Sequence, residues 1–287
     1  CNEQIASKIF ANAASLHILN SNPRIAETLK KFDKNDSAST VFNRNQDLKS
    51  LTLEETPWLN FAKYEKSQLI ELSTILDSTK NANALILNIQ KLRSNQNFDG
   101  SWPWFQNGHT NKFITSYIGL ILNQCEKLNI KDDVQYMLNG MIKSAQRFVA
   151  QNLEKEYQLL EKKINNEKSN WESDQLNEFI ILSMYCNSFH LNNIEGNFKK
   201  VNEFYLTQIE KYWQSENIYL EALCALIAHR NGKKDLAILI INSLRQRSIT
   251  HEELGMYWKS NYNLYWYDRP IETQAILIQA FAEIDPI

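Results

Sequence analysis

The chain has 287 residues, with 31 lysines and arginines against 33 aspartates and glutamates, which gives a formal net charge of −2. Hydrophobic residues make up 43% and charged residues 22%, the balance of an ordinary globular protein. The near-neutral charge gives no reason to expect nucleic acid as a partner, and no apolar run has the length of a membrane-spanning helix.

Helical periodicity runs through almost the whole chain, which contains only seven glycines and five prolines. Short polar connections between successive helices favour antiparallel hairpins packed side by side. We predict an all-α fold in a single domain over residues 1–287, with polar surface segments at 34–49 and 162–174. The predicted helices are, in chain order, 2–19, 23–32, 66–76, 82–94, 112–128, 133–163, 175–189, 199–214, 219–230, 233–245 and 270–284.

A weak internal repeat links two distant parts of the sequence. "DGSWPWF" precedes the helical segment "ITSYIGLIL", and "GMYW" precedes "IETQAILIQAF". Each unit is a glycine-containing aromatic turn followed by a helix with a threonine near its start, Thr115 or Thr273. Repeats of this kind predict stacked units that share a core. The pattern is typical of α/α toroids, the ring of helical hairpins found in terpenoid cyclases and protein prenyltransferases.

The four cysteines differ in their surroundings. Cys125, Cys186 and Cys224 lie in apolar stretches, and we expect them to be buried free thiols. No pair has the spacing of a zinc or redox site, so we expect neither a metal nor another cofactor. Cys1 has polar neighbours, and a predicted helix begins beside it.

The first four residues, "CNEQ", place Cys1 and Gln4 three positions apart at a helix start. Residues at i and i+3 share a helical face, so the two side chains can meet across the first turn. The partial positive charge of a helix N-terminus favours a thiolate, which could attack the Gln4 carbonyl carbon, release ammonia and close a thioester. A helix start with Glu3 and Gln4 as favourable first-turn residues is the simpler interpretation, and it stays open at this point.

Four further motifs, in order, give the sequence a resemblance to a known family. They are "LEETPWL" at 53–59, "SNQNFDGSWPWFQNG" at 94–108, "ITSYI" at 114–118 and "WYDRPIETQAILIQAF" at 266–281. With the C-x-E-Q start they resemble the thioester-containing domain of the alpha-2-macroglobulin and complement superfamily, and in detail its bacterial branch. The resemblance spans nearly the whole chain.

The resemblance implies a role in trapping proteases. Family members are large multidomain inhibitors, in which cleavage of a bait region elsewhere uncovers the thioester and an amine or hydroxyl of the attacker takes the acyl group. Cys1 would supply the sulfur, Gln4 the acyl carbon, and Glu3 a structural first-turn carboxylate. The protein would be an endopeptidase inhibitor and not an enzyme. Its partners would be target endopeptidases and the neighbouring domains of its own parent chain.

A histidine is a candidate accessory residue. In complement-type relatives a histidine shortly after the "D-G" turn directs the thioester toward hydroxyls. His109 lies in that neighbourhood, ten residues after Asp99, although Thr110 or Asn111 match the position equally well. Within reach of the thioester, His109 can act as a base or an acyl acceptor. If it is instead a solvated loop residue, amines are the expected targets.

Two other classes of function stay open. A toroid enzyme of the glycosidase or terpenoid-cyclase kind needs opposed carboxylates or an acidic cluster, for which only isolated residues such as Asp99 and Glu272 can be nominated. The second class is a binding module whose thioester does not function, and the intact Cys1 and Gln4 argue against it.

We interpret the chain as a piece of a larger multidomain protein. The resemblance implies a place in the bacterial cell envelope, most often the periplasm. Any attachment to the membrane would be through an anchor outside this segment.

Overall fold

The structure, a computed structural model, describes residues 1–25, 27–28, 72, 76–128, 130, 132–166, 170–193, 197–252, 255–259 and 270–285. This part of the chain is predominantly helical, as the sequence predicts. The predicted surface segment at 34–49, the motif at 53–59, most of the predicted helix at 66–76 and the first four residues of the motif at 266–281 lie outside the described residues. Among the described residues, no helix has both the length and the apolar character needed to cross a bilayer.

Of the predicted helix at 23–32, residues 23–25 and 27–28 are described and are helical. Nine α-helices are described over their whole length, and each coincides with a predicted one. They are α1 (Asn2–Ser21), α2 (Ser78–Ser94), α3 (Lys112–Glu126), α4 (Asp132–Asn165), α5 (Glu178–Asn187), α6 (Phe198–Tyr212), α7 (Ile218–Arg230), α8 (Lys234–Gln246) and α9 (Pro270–Ile284).

Side-chain caps explain the largest differences between predicted and observed helix ends. The Asp77 carboxylate accepts a hydrogen bond from the Lys80 backbone N–H at 2.9 Å, and α2 begins four residues earlier than predicted. The Asn177 side chain accepts from the Ile180 backbone N–H at 3.0 Å, and α5 begins three residues later than predicted. Both caps satisfy a first-turn donor that would otherwise have no intrahelical partner.

A short antiparallel hairpin between α8 and α9 was not predicted. Its strands are β1 (Ile249–His251) and β2 (Gly255–Tyr257), with Thr250 opposite Met256. Almost all of its residues are exposed, so neither face carries the alternating apolar pattern that identifies a strand from sequence.

The chain divides into two compact units. Unit 1 comprises Cys1, Glu3–Ser94 and Gln124–Asn139, and unit 2 comprises Asn2, Asn95–Asn123 and Gly140–Ile287. The single domain over residues 1–287 stays a prediction.

In unit 1, α1 and α2 each bury one face. Ala6, Ile9 and Ala13 are fully buried, and their spacing of three and four positions places them on one side of α1. The buried residues of α2 follow the same helical period: Asn81, Leu85, Ile89 and Leu92.

In unit 2, α7 lies at the centre of the core. All of its residues from Leu220 to Ala228 are buried, and it packs against α5, α8 and α9. The residues of α5 from Ile180 to Asn187 are buried as well. A helix that is covered on every side is apolar around most of its surface, and both segments are mainly apolar, with Ser183 and Asn187 in α5 and Glu221 in α7 as buried polar residues.

Close approach of α3 and α5 depends on small side chains. The hydroxyl oxygens of Ser116 and Ser183 are 3.3 Å apart. A Cβ at Gly119 would lie 2.8 Å from the Cys186 sulfur, so this contact requires glycine.

Candidate functional site

In the first turn of α1 the Gln4 side chain contacts the main chain of Cys1, and a contact between the two side chains stays a prediction. Cys1 is the N-cap residue, and Gln4 is the third residue of the helix. The Gln4 side chain folds back along the turn, and its Oε1 accepts a hydrogen bond from the Cys1 α-amino nitrogen at 3.5 Å, as the third helical residue does in a capping box. The carboxamide carbon of Gln4, which a thiol would attack, is therefore held beside residue 1.

The Cys1 thiol has its own partner in the same turn. Its Sγ donates a hydrogen bond to Glu3 Oε2 at 3.3 Å, in a partly buried setting. The Ser7 hydroxyl donates to the Glu3 carbonyl oxygen at 3.1 Å, one turn further along the helix. The sequence indicated Glu3 only as a first-turn carboxylate, and the structure adds its contact with the thiol.

Exposure separates Cys1 from the other cysteines. Cys1 is partly exposed, whereas Cys125, Cys186 and Cys224 are buried, as predicted. Burial raises the pKa of both Cys125 and Cys186 to about 12, and it also raises the pKa of Cys224. These three thiols stay protonated at neutral pH, so Cys1 is the cysteine that a reagent in solution can reach.

Asn2 is an anchor that the sequence did not reveal. It is 1% exposed, and by its contacts it belongs to unit 2. Its backbone nitrogen donates to the Trp104 carbonyl at 3.0 Å, and its Nδ2 donates to the Pro103 carbonyl at 2.8 Å. Its Oδ1 accepts from Asn95 Nδ2 at 2.7 Å. Each polar group of the buried Asn2 side chain is therefore satisfied.

The loop that supplies these partners, residues 95–111, is built on the Asp-Gly turn. Gly100 has a φ of +89°, and a Cβ there would lie 2.2 Å from the Ser144 carbonyl oxygen, so only glycine fits. Asp99 Oδ1 accepts from the Ser101 backbone N–H at 3.0 Å and from the Ser101 hydroxyl at 2.6 Å. These bonds fix the turn locally.

Other residues of "QNFDGSW", at 96–102 within the second motif, fasten the loop to the rest of unit 2. Gln96 Nε2 donates to the carbonyl oxygens of Gly100 at 3.0 Å and Met141 at 3.2 Å. Trp102 is fully buried, and its backbone N–H donates to Thr115 Oγ1 at 2.9 Å. The motif therefore shapes the loop.

The internal repeat corresponds to a recurring pattern of hydrogen bonds. Trp258 is 4% exposed, and its backbone N–H donates to Gln274 Oε1 at 3.3 Å. Gln274 Nε2 donates back to the Trp258 carbonyl at 2.8 Å. In both copies of the repeat, a side chain near the start of the following helix hydrogen-bonds to the backbone of a buried tryptophan, as Thr115 does for Trp102. The sequence pointed to Thr273 as the counterpart of Thr115, but the next residue, Gln274, makes the bonds.

His109 lies exposed in the same loop and forms no hydrogen bond or ion pair with another described residue. The side chains at the two alternative positions, Thr110 and Asn111, form hydrogen bonds with other residues. Thr110 Oγ1 lies 3.0 Å from the Ser101 hydroxyl, and Asn111 Oδ1 accepts from the Ile114 backbone N–H at 3.0 Å at the start of α3. The assistance of His109 to a thioester stays a prediction.

Within the described ranges, no group of three or more His, Cys, Asp or Glu side chains is arranged to hold a metal ion. No family model matches the chain, and no curated protein is significantly similar to it. The case for a function rests on the residues of the site.

Proposed function

We propose that this chain is the thioester domain of a bacterial alpha-2-macroglobulin-like endopeptidase inhibitor, with an internal thioester between Cys1 and Gln4. The proposal includes an α/α toroid and a parent protein in the cell envelope, anchored to the membrane outside this segment. In this proposal the chain is an inhibitor that transfers one stored acyl group to one protease, and it is not an enzyme with repeated catalytic turnover.

The folded-back side chain of Gln4 is the observation that carries the proposal. This side chain makes the bond of a capping box, from the third helical residue back to the main chain of the N-cap residue. Here the N-cap residue is Cys1, so the bond at 3.5 Å leads the carboxamide back to the residue that carries the sulfur. Intramolecular groups that reach a well-oriented geometry can react with effective concentrations on the order of 10⁵ M or more.

Ring closure needs no outside reagent. The sulfur of Cys1 attacks the side-chain carbonyl carbon of Gln4, the carbon–nitrogen bond breaks, and ammonia leaves with the thiol proton. An amine of a protease later attacks the same carbon, forms an amide and frees the Cys1 thiol.

The exposure of the site favours a shielded parent protein. Gln4 is exposed and Cys1 is partly exposed. A thioester at such a position reacts with water and small amines, so the acyl group is conserved only if something covers it. By the family resemblance, neighbouring domains of the parent chain provide this cover until a protease cleaves the bait region.

Intact mass measurement before and after methylamine treatment tests the proposal. The protein is used in a form in which at least one residue precedes Cys1, because a free Cys1 amine would capture the acyl group. We expect the untreated mass to lie one ammonia below that of the sequence. Methylamine should then add one molecule and release one thiol.

Two variants serve as controls for this experiment. Cys1→Ala and Gln4→Ala should both keep the mass of their sequence and take up no methylamine. An untreated wild-type mass equal to that of the sequence, with a free Cys1 thiol and no methylamine uptake, overturns the proposal.

A further inference from the structure

The contact between Cys1 and Glu3 carries a further inference, which rests on the proposed thioester. We propose that Glu3 is a catalytic residue that carries the proton in thioester chemistry. Its carboxylate takes the thiol proton as the sulfur attacks Gln4, and it delivers that proton to the departing ammonia.

The geometry supports proton transfer from the thiol. Cys1 Sγ donates to Glu3 Oε2 at 3.3 Å, a hydrogen-bond distance for the large sulfur atom. A general base must lie within hydrogen-bond reach of the proton that it abstracts. The Gln4 carboxamide is folded back toward residue 1, the residue whose thiol is in contact with Glu3.

The first half of the reaction needs a base. A thiol is a weak nucleophile, and the reactive form is the thiolate. A carboxylate is a much weaker base than a thiolate, so a free thiolate would rarely form before the attack. The proton therefore leaves the sulfur for Glu3 while the carbon–sulfur bond to Gln4 is forming.

The second half needs an acid. The nitrogen of the tetrahedral intermediate leaves as ammonia only after it gains a proton. Glu3, now protonated, gives its proton to this nitrogen, the carbon–nitrogen bond breaks, and the carboxylate is restored. The balance is one thiol and one carboxamide converted to one thioester and one ammonia, with no net change at Glu3.

Among the described residues, no other acidic or basic side chain is in hydrogen-bond contact with the thiol of Cys1 or the carboxamide of Gln4. Glu3 is the one titratable side chain there that hydrogen-bonds to Cys1 or Gln4. His17 lies four turns further along α1, and its Nδ1 lies 3.1 Å from the Leu128 carbonyl oxygen.

Microscopic reversibility supplies a specific test. When methylamine opens the thioester, it loses a proton and the leaving sulfur gains one, so the same carrier serves both directions. Glu3→Gln keeps the size of the side chain but cannot accept the proton. We expect ring closure and ring opening both to slow by about 10²-fold or more in this variant, within the usual range for general acid–base catalysis.

The experiment follows four proteins by intact mass and thiol release: wild type, Glu3→Gln, Glu3→Asp and Ser7→Ala. Opening is started with methylamine. Closure is followed in protein opened with ammonia, which regenerates the original glutamine, after the ammonia has been removed. Ser7→Ala removes the hydrogen bond to the Glu3 carbonyl without touching the carboxylate, so it should react as wild type does. Glu3→Asp keeps a carboxylate and should recover part of the rate.

The outcomes separate the two proposals. A Glu3→Gln protein with the wild-type melting temperature that closes and opens slowly, or never closes, supports the role of Glu3. The same protein reacting at the wild-type rate overturns that role and leaves the thioester standing. A wild-type protein that never loses ammonia overturns the proposed function and this inference with it.

Discussion

Replacing Gly100 with alanine should destabilise the protein strongly, because two separate costs fall on one residue. The backbone φ of +89° is a conformation that residues with a Cβ rarely adopt. The added Cβ would also lie 2.2 Å from the carbonyl oxygen of Ser144 and 2.6 Å from its carbonyl carbon. Both are backbone atoms of α4, so neither can rotate away as a flexible side chain would.

The two costs can be estimated separately. Holding a non-glycine residue at positive φ costs about 1–2 kcal/mol. Forcing an extra carbon into a packed site costs about 1–3 kcal/mol. We therefore expect Gly100→Ala to lower the free energy of unfolding by about 2–5 kcal/mol. Urea denaturation followed by far-UV circular dichroism measures this change from the transition midpoint.

Two other glycines provide matched controls. Gly232 has a φ of +78°, but a Cβ there would have no atom within 4 Å, so Gly232→Ala carries only the backbone cost. Gly140 lies inside α4 with open space around it, so Gly140→Ala should stabilise by about 1 kcal/mol. Equal losses in Gly100→Ala and Gly232→Ala would show that the predicted clash with Ser144 does not exist.

The remaining predictions concern the thiols. In folded, methylamine-treated protein at pH 8, a maleimide should modify Cys1 alone, and the three buried cysteines only after unfolding; labelling at a second site detected by mass spectrometry contradicts this. Above the ordinary thiol pKa of 9.0, stability should fall, because the buried Cys125 and Cys186 keep protons that the unfolded chain releases. A melting temperature that does not change between pH 8 and 11 contradicts that expectation. Gly119→Ala should cost about 1–3 kcal/mol because its Cβ meets the Cys186 sulfur, and Cys186→Ala in the same chain should restore part of the loss. Purely additive free energies of unfolding in that double-mutant cycle would rule out the contact.

The sequence predicted the described helices well because helix formation depends on neighbours three and four positions away. The pattern of buried residues in α2 and the apolar run of α7 from Ala222 to Ala228 are both visible in the amino-acid order. Helix ends were less certain, since a cap such as Asn177 acts through one side-chain bond. The hairpin of β1 and β2 escaped prediction because it buries neither face.

The candidate site was predictable only in part. The meeting of the Cys1 and Gln4 side chains stays a prediction, and the contact of Gln4 with the Cys1 main chain follows from their positions at i and i+3. The bond from Cys1 to Glu3 does not, because residues at i and i+2 do not face each other within a helix. Cys1 is the N-cap, outside the helical backbone, and this frees its thiol to reach Glu3.

By itself, the sequence determined the helical character of the described residues, since a helix depends on residues within one turn of each other. Only the tertiary structure decided that Asn2 is buried, with a partner 101 positions away, and that Gly100 lies against Ser144. It also decided that Gln274, and not its neighbour Thr273, holds the backbone of the second buried tryptophan. The reason is physical: a polar group needs a partner only once packing has removed water from it, and which partner it finds depends on the elements that packing has brought together.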